Sequence, residues 1–217
     1  NMSFKRAEGR QFRSTLSPSS RGAAVIRDLP FNTPWRTIRV ADTAAGIVEN
    51  DLELNLNEPN KIGDVSWFKP MKYIGIWWGM IRGDWTWAEG PRHGATTARA
   101  KQYIDFAAKN GFGGVLVEGW DKGWNGDWFG HGQDFSFTEA VPDFDLKAVT
   151  AYAAKKKVQL IGHNETSGHA AHYETQMGAA FDLYHSLGMS AVKTGYVADA
   201  GQAKVLGTDG QIHYAWH

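Results

Sequence analysis

Along this chain the rhythm of apolar positions changes once, near residue 72. Before that point apolar residues fall in short alternating stretches, at 23–26 and 35–40, interrupted by Pro18, Pro30, Pro34 and Pro59. Alternation with proline punctuation predicts β-strands rather than helices. Beyond it, short continuous apolar runs alternate with segments of helical spacing, the signature of parallel α/β architecture. Strands are predicted at 73–78, 114–118, 158–162 and 191–196. Helices are predicted at 96–110, at about 145–156 and at about 170–187, with Thr96 or Thr97 capping the first and Gly111 stopping it. Each strand is apolar almost throughout, as in strands buried on both faces, and each ends in polar or aromatic groups.

Four βα units fit either an open doubly wound sheet or the first half of a (β/α)8 TIM barrel. A dinucleotide-binding sheet wants a Gly-rich phosphate turn directly after a strand, whereas Gly111-Phe112-Gly113-Gly114 precedes one, which favours the barrel. Residues 1–60 hold too little β-material for a closed sandwich, so they read as the C-terminal strands of an N-terminal β-sandwich plus linker, with the linker centred on 55–64. Residues 61–217 read as the first four βα units of a truncated catalytic barrel. Asn1 ahead of Met2, and a final stretch without a stop signal, read as a fragment, so the missing signal peptide says little about residence.

Composition narrows the partners. Twenty-three acidic and 23 basic residues give no net field to attract nucleic acid or an anionic membrane. No apolar run reaches spanning length, so membrane insertion is not expected. With no cysteine, disulfides, thiolate nucleophiles and cysteine metal sites are all excluded. Ten tryptophans are unusual in 217 residues, and several stand beside Gly, Asp or His instead of in periodic apolar segments. Indole faces in loops suit stacking on the C–H faces of sugars, although loop packing alone would also use them.

The densest chemistry lies where the run Val158-Gln159-Leu160-Ile161-Gly162 ends in His163-Asn164-Glu165-Thr166-Ser167-Gly168. Carboxyl ends of parallel strands face the ligand side, so ionisable groups there reach substrate. Glu165 could instead cap the next helix, but Thr166 and Ser167 are better caps. After the first strand come Trp77, Trp78, Asp84, Trp85 and Trp87; after the second come Glu118, Trp120, Asp121, Trp124, Asp127 and Trp128. His163, His169 and His172 with Glu165 and Glu174 raise a metal site, yet no H-E-x-x-H pair is present and zinc is disfavoured. Glycoside hydrolysis needs two carboxyl groups flanking the scissile bond, for which Glu165 and Glu118 are the candidates. Lys193 either contacts a sugar hydroxyl or forms a structural ion pair.

Six motifs occur in order: Thr33-Pro34-Trp35-Arg36-Thr37-Ile38, the stretch from Asp51-Leu52 to Leu56-Asn57-Glu58-Pro59, Gly90-Pro91-Arg92-His93-Gly94-Ala95-Thr96-Thr97, Val117-Glu118-Gly119-Trp120, His163-Asn164-Glu165-Thr166 and Lys193-Thr194-Gly195-Tyr196-Val197. Together they resemble glycoside hydrolase family 97. The resemblance implies a parent with an N-terminal β-sandwich, a catalytic (β/α)8 barrel and a small C-terminal β domain, hydrolysing α-glucosides or α-galactosides with calcium as cofactor. It implies an oligosaccharide or α-glucoside as the partner, and a periplasmic or extracellular location for the parent. Retaining members carry an Asp nucleophile on the fourth strand where inverting members have Gly, and this chain has Gly195, which implies inversion. Carried over by position, Glu165 is a catalytic general base, and Glu118, His163, Lys193, Trp77, Trp78 and Trp120 contact substrate. Asn164 stands where family members often carry a second His, a change expected to alter sugar contacts. The general acid, a second base and most calcium ligands are expected outside this stretch, with no metal ligand assigned within it, so the fragment alone is expected to be inactive. The alternatives are an α-galactosidase on the same scaffold and a non-catalytic carbohydrate-binding protein.

Overall fold

The computed structural model describes residues 2–16, 25–33, 35–195, 204–206 and 212–214. Two compact units divide the chain: Val25–Pro70 forms one, and Asn1–Ala24 with Met71–His217 the other.

The chain opens with strands β1 (Met2–Arg6) and β2 (Phe12–Leu16), an antiparallel hairpin that turns through Gly9 at φ 63°. In the smaller unit the short helices α1 (Ala44–Val48) and α2 (Leu52–Leu56) are the regular elements. Thr43 caps α1 by accepting the Gly46 amide at 3.1 Å. Thr37 donates to Glu53 at 2.7 Å, and the Arg39 guanidinium pairs with the same carboxylate and holds its pKa down to about 2. The strands predicted here are not found: positions 23, 24 and 34 lie outside the described residues, while 25–26 and 35–40 have no regular structure. The physical reason is pairing. Trp35, Ile38 and Val40 alternate suitably, but among the described residues no strand runs beside them, and they are 74%, 65% and 82% exposed.

The larger unit is built on β3 (Tyr73–Ile76), which leads through α3 (Trp78–Ile81) into α4 (Thr97–Lys109), and then β4 (Gly114–Val117). Thr96 caps α4 through the Arg99 amide at 3.2 Å, and Gly111 at φ 73° ends it, as the sequence predicts. An excursion follows that periodicity did not reveal. It contains β5 (Asp121–Lys122) paired irregularly with β6 (Ser136–Ala140). Helix α5 (Leu146–Lys155), capped by Asp145 through the Ala148 amide at 2.9 Å, leads to β7 (Gln159–Glu165), then α6 (Ala170–Ser186) and β8 (Val192–Gly195). Two further short strands, β9 (Lys204–Leu206) and β10 (Ile212–Tyr214), pair antiparallel.

Strands β3, β4, β7 and β8 lie in that order and are all parallel. Alternation gives the sheet two distinct faces. Ile74, Ile76, Val115, Val117 and Leu160 point to the side packed by Ile104 and Ala107 of α4 and by Val149 and Ala153 of α5. Full burial of each large aliphatic group there contributes roughly 1.5–3 kcal/mol. On the opposite face the register pairs Gly75 with Leu116, Leu116 with Ile161, His163 with Lys193, and Glu165 with Gly195. Apolar packing with helices on one face, and polar strand ends on the other, is the arrangement that begins a (β/α)8 barrel. A second core gathers Trp124, Trp128, Phe135 and Phe137 from the excursion against Tyr173 and Ala180 of α6. Among the described residues, no helix is long and apolar enough to cross a membrane.

Candidate active site

Strand β7 carries its ladder through His163 and Glu165, three residues beyond the predicted end, and this places both on the face that Lys193 and Gly195 share. Glu118, the residue after β4, lies beside them. Its Oε2 accepts the Trp87 indole N–H at 3.1 Å and its Oε1 accepts the Lys193 ammonium at 3.2 Å. His163 Nε2 stands 3.6 Å from the same Oε1, too far for a hydrogen bond. The His163 ring is 1% exposed, and burial together with the Lys193 charge lowers its pKa to about 3. It is therefore a neutral imidazole, with one N–H and one lone pair to offer.

Glu165 is buried at 1% exposure, and its Oε1 accepts the Ser167 amide at 2.7 Å. That amide comes from a tight turn in which Ser167 holds φ 43°, a left-handed conformation uncommon for a residue with a side chain. The turn is fixed on both sides. The Thr166 amide and hydroxyl both donate to the Gly195 carbonyl, at 3.0 and 2.9 Å, and the Ser167 hydroxyl donates to the Phe129 carbonyl at 2.6 Å. Thr166 and Ser167, predicted as helix caps, are thus consumed in positioning Glu165, and His169 takes the N-cap position of α6 without a side-chain hydrogen bond. A side chain at Gly195 would displace the Glu165 carboxylate: a Cβ there would lie 2.4 Å from Glu165 Oε2 and 3.3 Å from His163 Nε2.

The aromatic residues separate into two groups. Trp77 is half-buried with Lys193 Nζ 5.7 Å from its ring centroid, so it borders the cluster. Trp78 packs edge-on against Trp77 at 5.2 Å and is 56% exposed. Trp120 corrects the sequence reading. It is 2% exposed, its N–H donates to the His163 carbonyl at 3.1 Å, and its ring packs with Phe144 and Tyr184 in the helix-side core, where a sugar cannot reach it. Asn164 is corrected likewise. Strand alternation turns it away from His163 and Glu165 to meet the hydroxyls of Tyr173 and Tyr184 on α6, so it serves the scaffold. His172 lies against the Phe135 carbonyl at 2.8 Å and Gln176, fastening the excursion to α6.

Three contributors stand among the residues the sequence marks, but without an assigned role. Trp87 supplies the N–H on Glu118. His93 is 2% exposed and spans the Asp143 carboxylate at 2.8 Å and the Gly119 carbonyl at 3.1 Å, bracing the turn after Glu118. Asp121 is wholly buried and accepts the Trp124 indole N–H at 2.8 Å. Their pairing partners lie 31, 50 and 3 positions away, and only the last spacing is local.

Two family models match the chain, "Glycosyl-hydrolase 97 N-terminal" over residues 2–59 and "Glycoside hydrolase 97" over residues 77–215. Solved structures of a glycoside hydrolase family 97 enzyme from Pseudoalteromonas sp. strain K8, one in complex with acarbose and a variant with panose, are 53% identical with TM-score 0.87. They align with 100% of this chain, which covers 33% of theirs. A retaining alpha-galactosidase of Bacteroides thetaiotaomicron is 34% identical over 137 residues, 62% of this chain and 19% of that protein. A probable retaining alpha-galactosidase of Streptomyces bingchenggensis is 32% identical over 101 residues, 46% of this chain and 14% of that protein. The chain therefore spans a third or less of the length of these relatives.

Proposed function

The chain belongs to glycoside hydrolase family 97, and from that premise we propose that it supplies the base side of the active site of an inverting α-glucosidase. Glu165 is the general base that draws a proton from a water on the far face of the sugar, while an acid from outside this chain protonates the leaving oxygen. Glu118 accepts, and Lys193 donates, hydrogen bonds to sugar hydroxyls. Neutral His163 does either, and Trp77 walls the sugar ring.

The observation that carries inversion is steric. A retaining site on this scaffold would need a carboxylate side chain at 195, where this chain has glycine, and with Glu165 in its observed place the added Cβ would stand 2.4 Å from Oε2. The α-glucoside preference draws on the 53% identical relative named as bound to acarbose and panose. Two relatives named as retaining α-galactosidases, the nearer 34% identical, support a second reading, α-galactoside hydrolysis with retention.

One experiment separates them. Proton NMR of the full-length protein acting on aryl α-glucoside and α-galactoside should show the β-anomer of glucose as first product, and Glu165→Gln should abolish its formation. Initial α-anomer would refute inversion, and a faster reaction on the galactoside would refute the glucoside assignment.

Calcium and a periplasmic or extracellular location enter this proposal from the family alone. Calcium takes six to eight oxygens. Among the described residues no three His, Cys, Asp or Glu side chains converge, and both Glu118 oxygens already accept N–H donors, one of them cationic. These residues by themselves do not fit the ion, and no step above depends on it.

A further inference from the structure

We propose that Asp121 is a positioning residue for Glu118, acting through the indole of Trp124. The inference rests on the reading of Glu118 as a sugar contact. Trp124 is 2% exposed and stacks on both groups that flank Glu118: Trp87, at 6.3 Å between centroids and 10° between planes, and His163, at 5.9 Å and 28°. Trp87 donates to Glu118 Oε2, and His163 faces Oε1. Trp124 also packs against Trp128 at 4.8 Å and Phe135 at 5.1 Å, ring contacts with little directional preference. The 2.8 Å bond from Trp124 Nε1 to Asp121 Oδ1 adds a directional anchor to the surface on which Trp87 and His163 rest.

The local backbone is shaped for this bond. Gly123, between the two residues, holds φ 118°, and a Cβ there would lie 2.6 Å from the Phe135 Cα, so the turn passes against the backbone just before β6 where only glycine fits. Asp121 is also a costly choice of acceptor. Its Oδ2 is buried without a hydrogen-bond partner among the described residues, and an unsatisfied buried carboxyl oxygen is uncommon unless function retains it. Burial raises the carboxyl pKa well above the usual range, with the nearby Glu165 charge adding to the effect. Asparagine keeps the shape of this side chain and an oxygen that accepts the Trp124 indole N–H.

The test is a double-mutant cycle in the full-length protein, read as kcat/KM for an α-glucoside and as calorimetric affinity for acarbose. Loss of a buried hydrogen bond predicts that Asp121→Ala lowers kcat/KM about 10- to 100-fold. Asp121→Asn should recover most of that loss, and Trp124→Phe, which keeps a ring but has no N–H, should resemble Asp121→Ala. In a Glu118→Gln background the further effect of Asp121→Ala should shrink to a few-fold, because the Trp87 branch of the path ends at Glu118 and only the stacking contact with His163 remains. Full additivity in that background, or an Asp121→Asn as impaired as Asp121→Ala, overturns the proposal. If Asp121→Ala does not fold, the cycle of Trp124→Phe with Glu118→Gln gives the same two outcomes. Absence of wild-type turnover on any α-glycoside would refute the proposed function instead, and the affinity cycle would still decide the positioning role.

Discussion

Replacing Gly195 with alanine adds one methyl group at the point where the site is tightest. No left-handed φ is involved at Gly195, so the substitution tests space and not backbone strain. The new Cβ would stand 2.4 Å from Glu165 Oε2, whereas ordinary contact begins at 3.4 Å, so about 1 Å must be found. The backbone has little to give, because the Gly195 carbonyl accepts both donors of Thr166 and residue 195 stays in register with Glu165. The carboxylate must therefore turn away, at the expense of its 2.7 Å bond from the Ser167 amide. A hydrogen bond to a charged group contributes about 1.5–3 kcal/mol, which at 1.36 kcal/mol per tenfold corresponds to a fall in kcat on the order of 10- to 150-fold. The assay is initial-rate hydrolysis by the full-length protein beside acarbose affinity and thermal melting. Turnover should drop far more than acarbose affinity, with the melting temperature nearly unchanged. A variant with kcat within about twofold of wild type would refute the claim that Glu165 is held in place by the emptiness of position 195.

Two other outcomes follow from buried histidines. His163, with its pKa lowered to about 3, stays neutral in the fold at pH values where the unfolded chain, titrating near 6.5, takes up a proton. Stability should thus fall as pH drops from 6.5 towards 3, by up to roughly 1.4 kcal/mol per pH unit from this group, and His163→Gln should flatten that slope in urea melts; an unchanged slope would contradict it. His93→Ala removes the bridge between Asp143 and the Gly119 carbonyl and leaves the latter unpaired in a buried turn, which predicts about 2–4 kcal/mol of lost stability by chemical denaturation. A loss below about 0.5 kcal/mol would remove His93 as the brace of the Glu118 turn.

The βα core was legible because its signals agree: an apolar run, a cap, an amphipathic helix and a stop residue coincide at α4, and run and helix alternate again at α5. The excursion between β4 and α5 was not, since β5 has two residues and its aromatics are placed by contacts with α6 instead of by period. Alternation at 35–40 misled for the opposite reason, because a strand pattern becomes a strand only beside a partner. For the site, Glu118, His163 and Glu165 could be picked out as polar residues at strand ends, and Lys193 as a cation within the fourth strand. Trp120 could not be sorted from Trp77 in this way. Both follow apolar runs, and only the packing of Trp120 against Phe144 and Tyr184 shows that its ring lies on the helix side.

Register explains why the cluster has the members it has. Read linearly, His163-Asn164-Glu165 is a polar triplet of equal standing, but a strand sends alternate side chains to opposite faces. Pairing of His163 with Lys193 and of Glu165 with Gly195 puts two imidazole and carboxylate positions opposite a cation and a gap. The residue between them, Asn164, pairs with Thr194 and is committed to the tyrosines of α6. A one-residue slip of β7 would exchange the two sets, bringing Asn164 to the strand-end face and moving two already buried ionisable groups away from Lys193 and the Ser167 amide to lie among Ile104, Val149 and their neighbours. A buried polar or charged group left without partners costs several kcal/mol, so the polarity of the triplet itself holds the strand in the register that assembles the site.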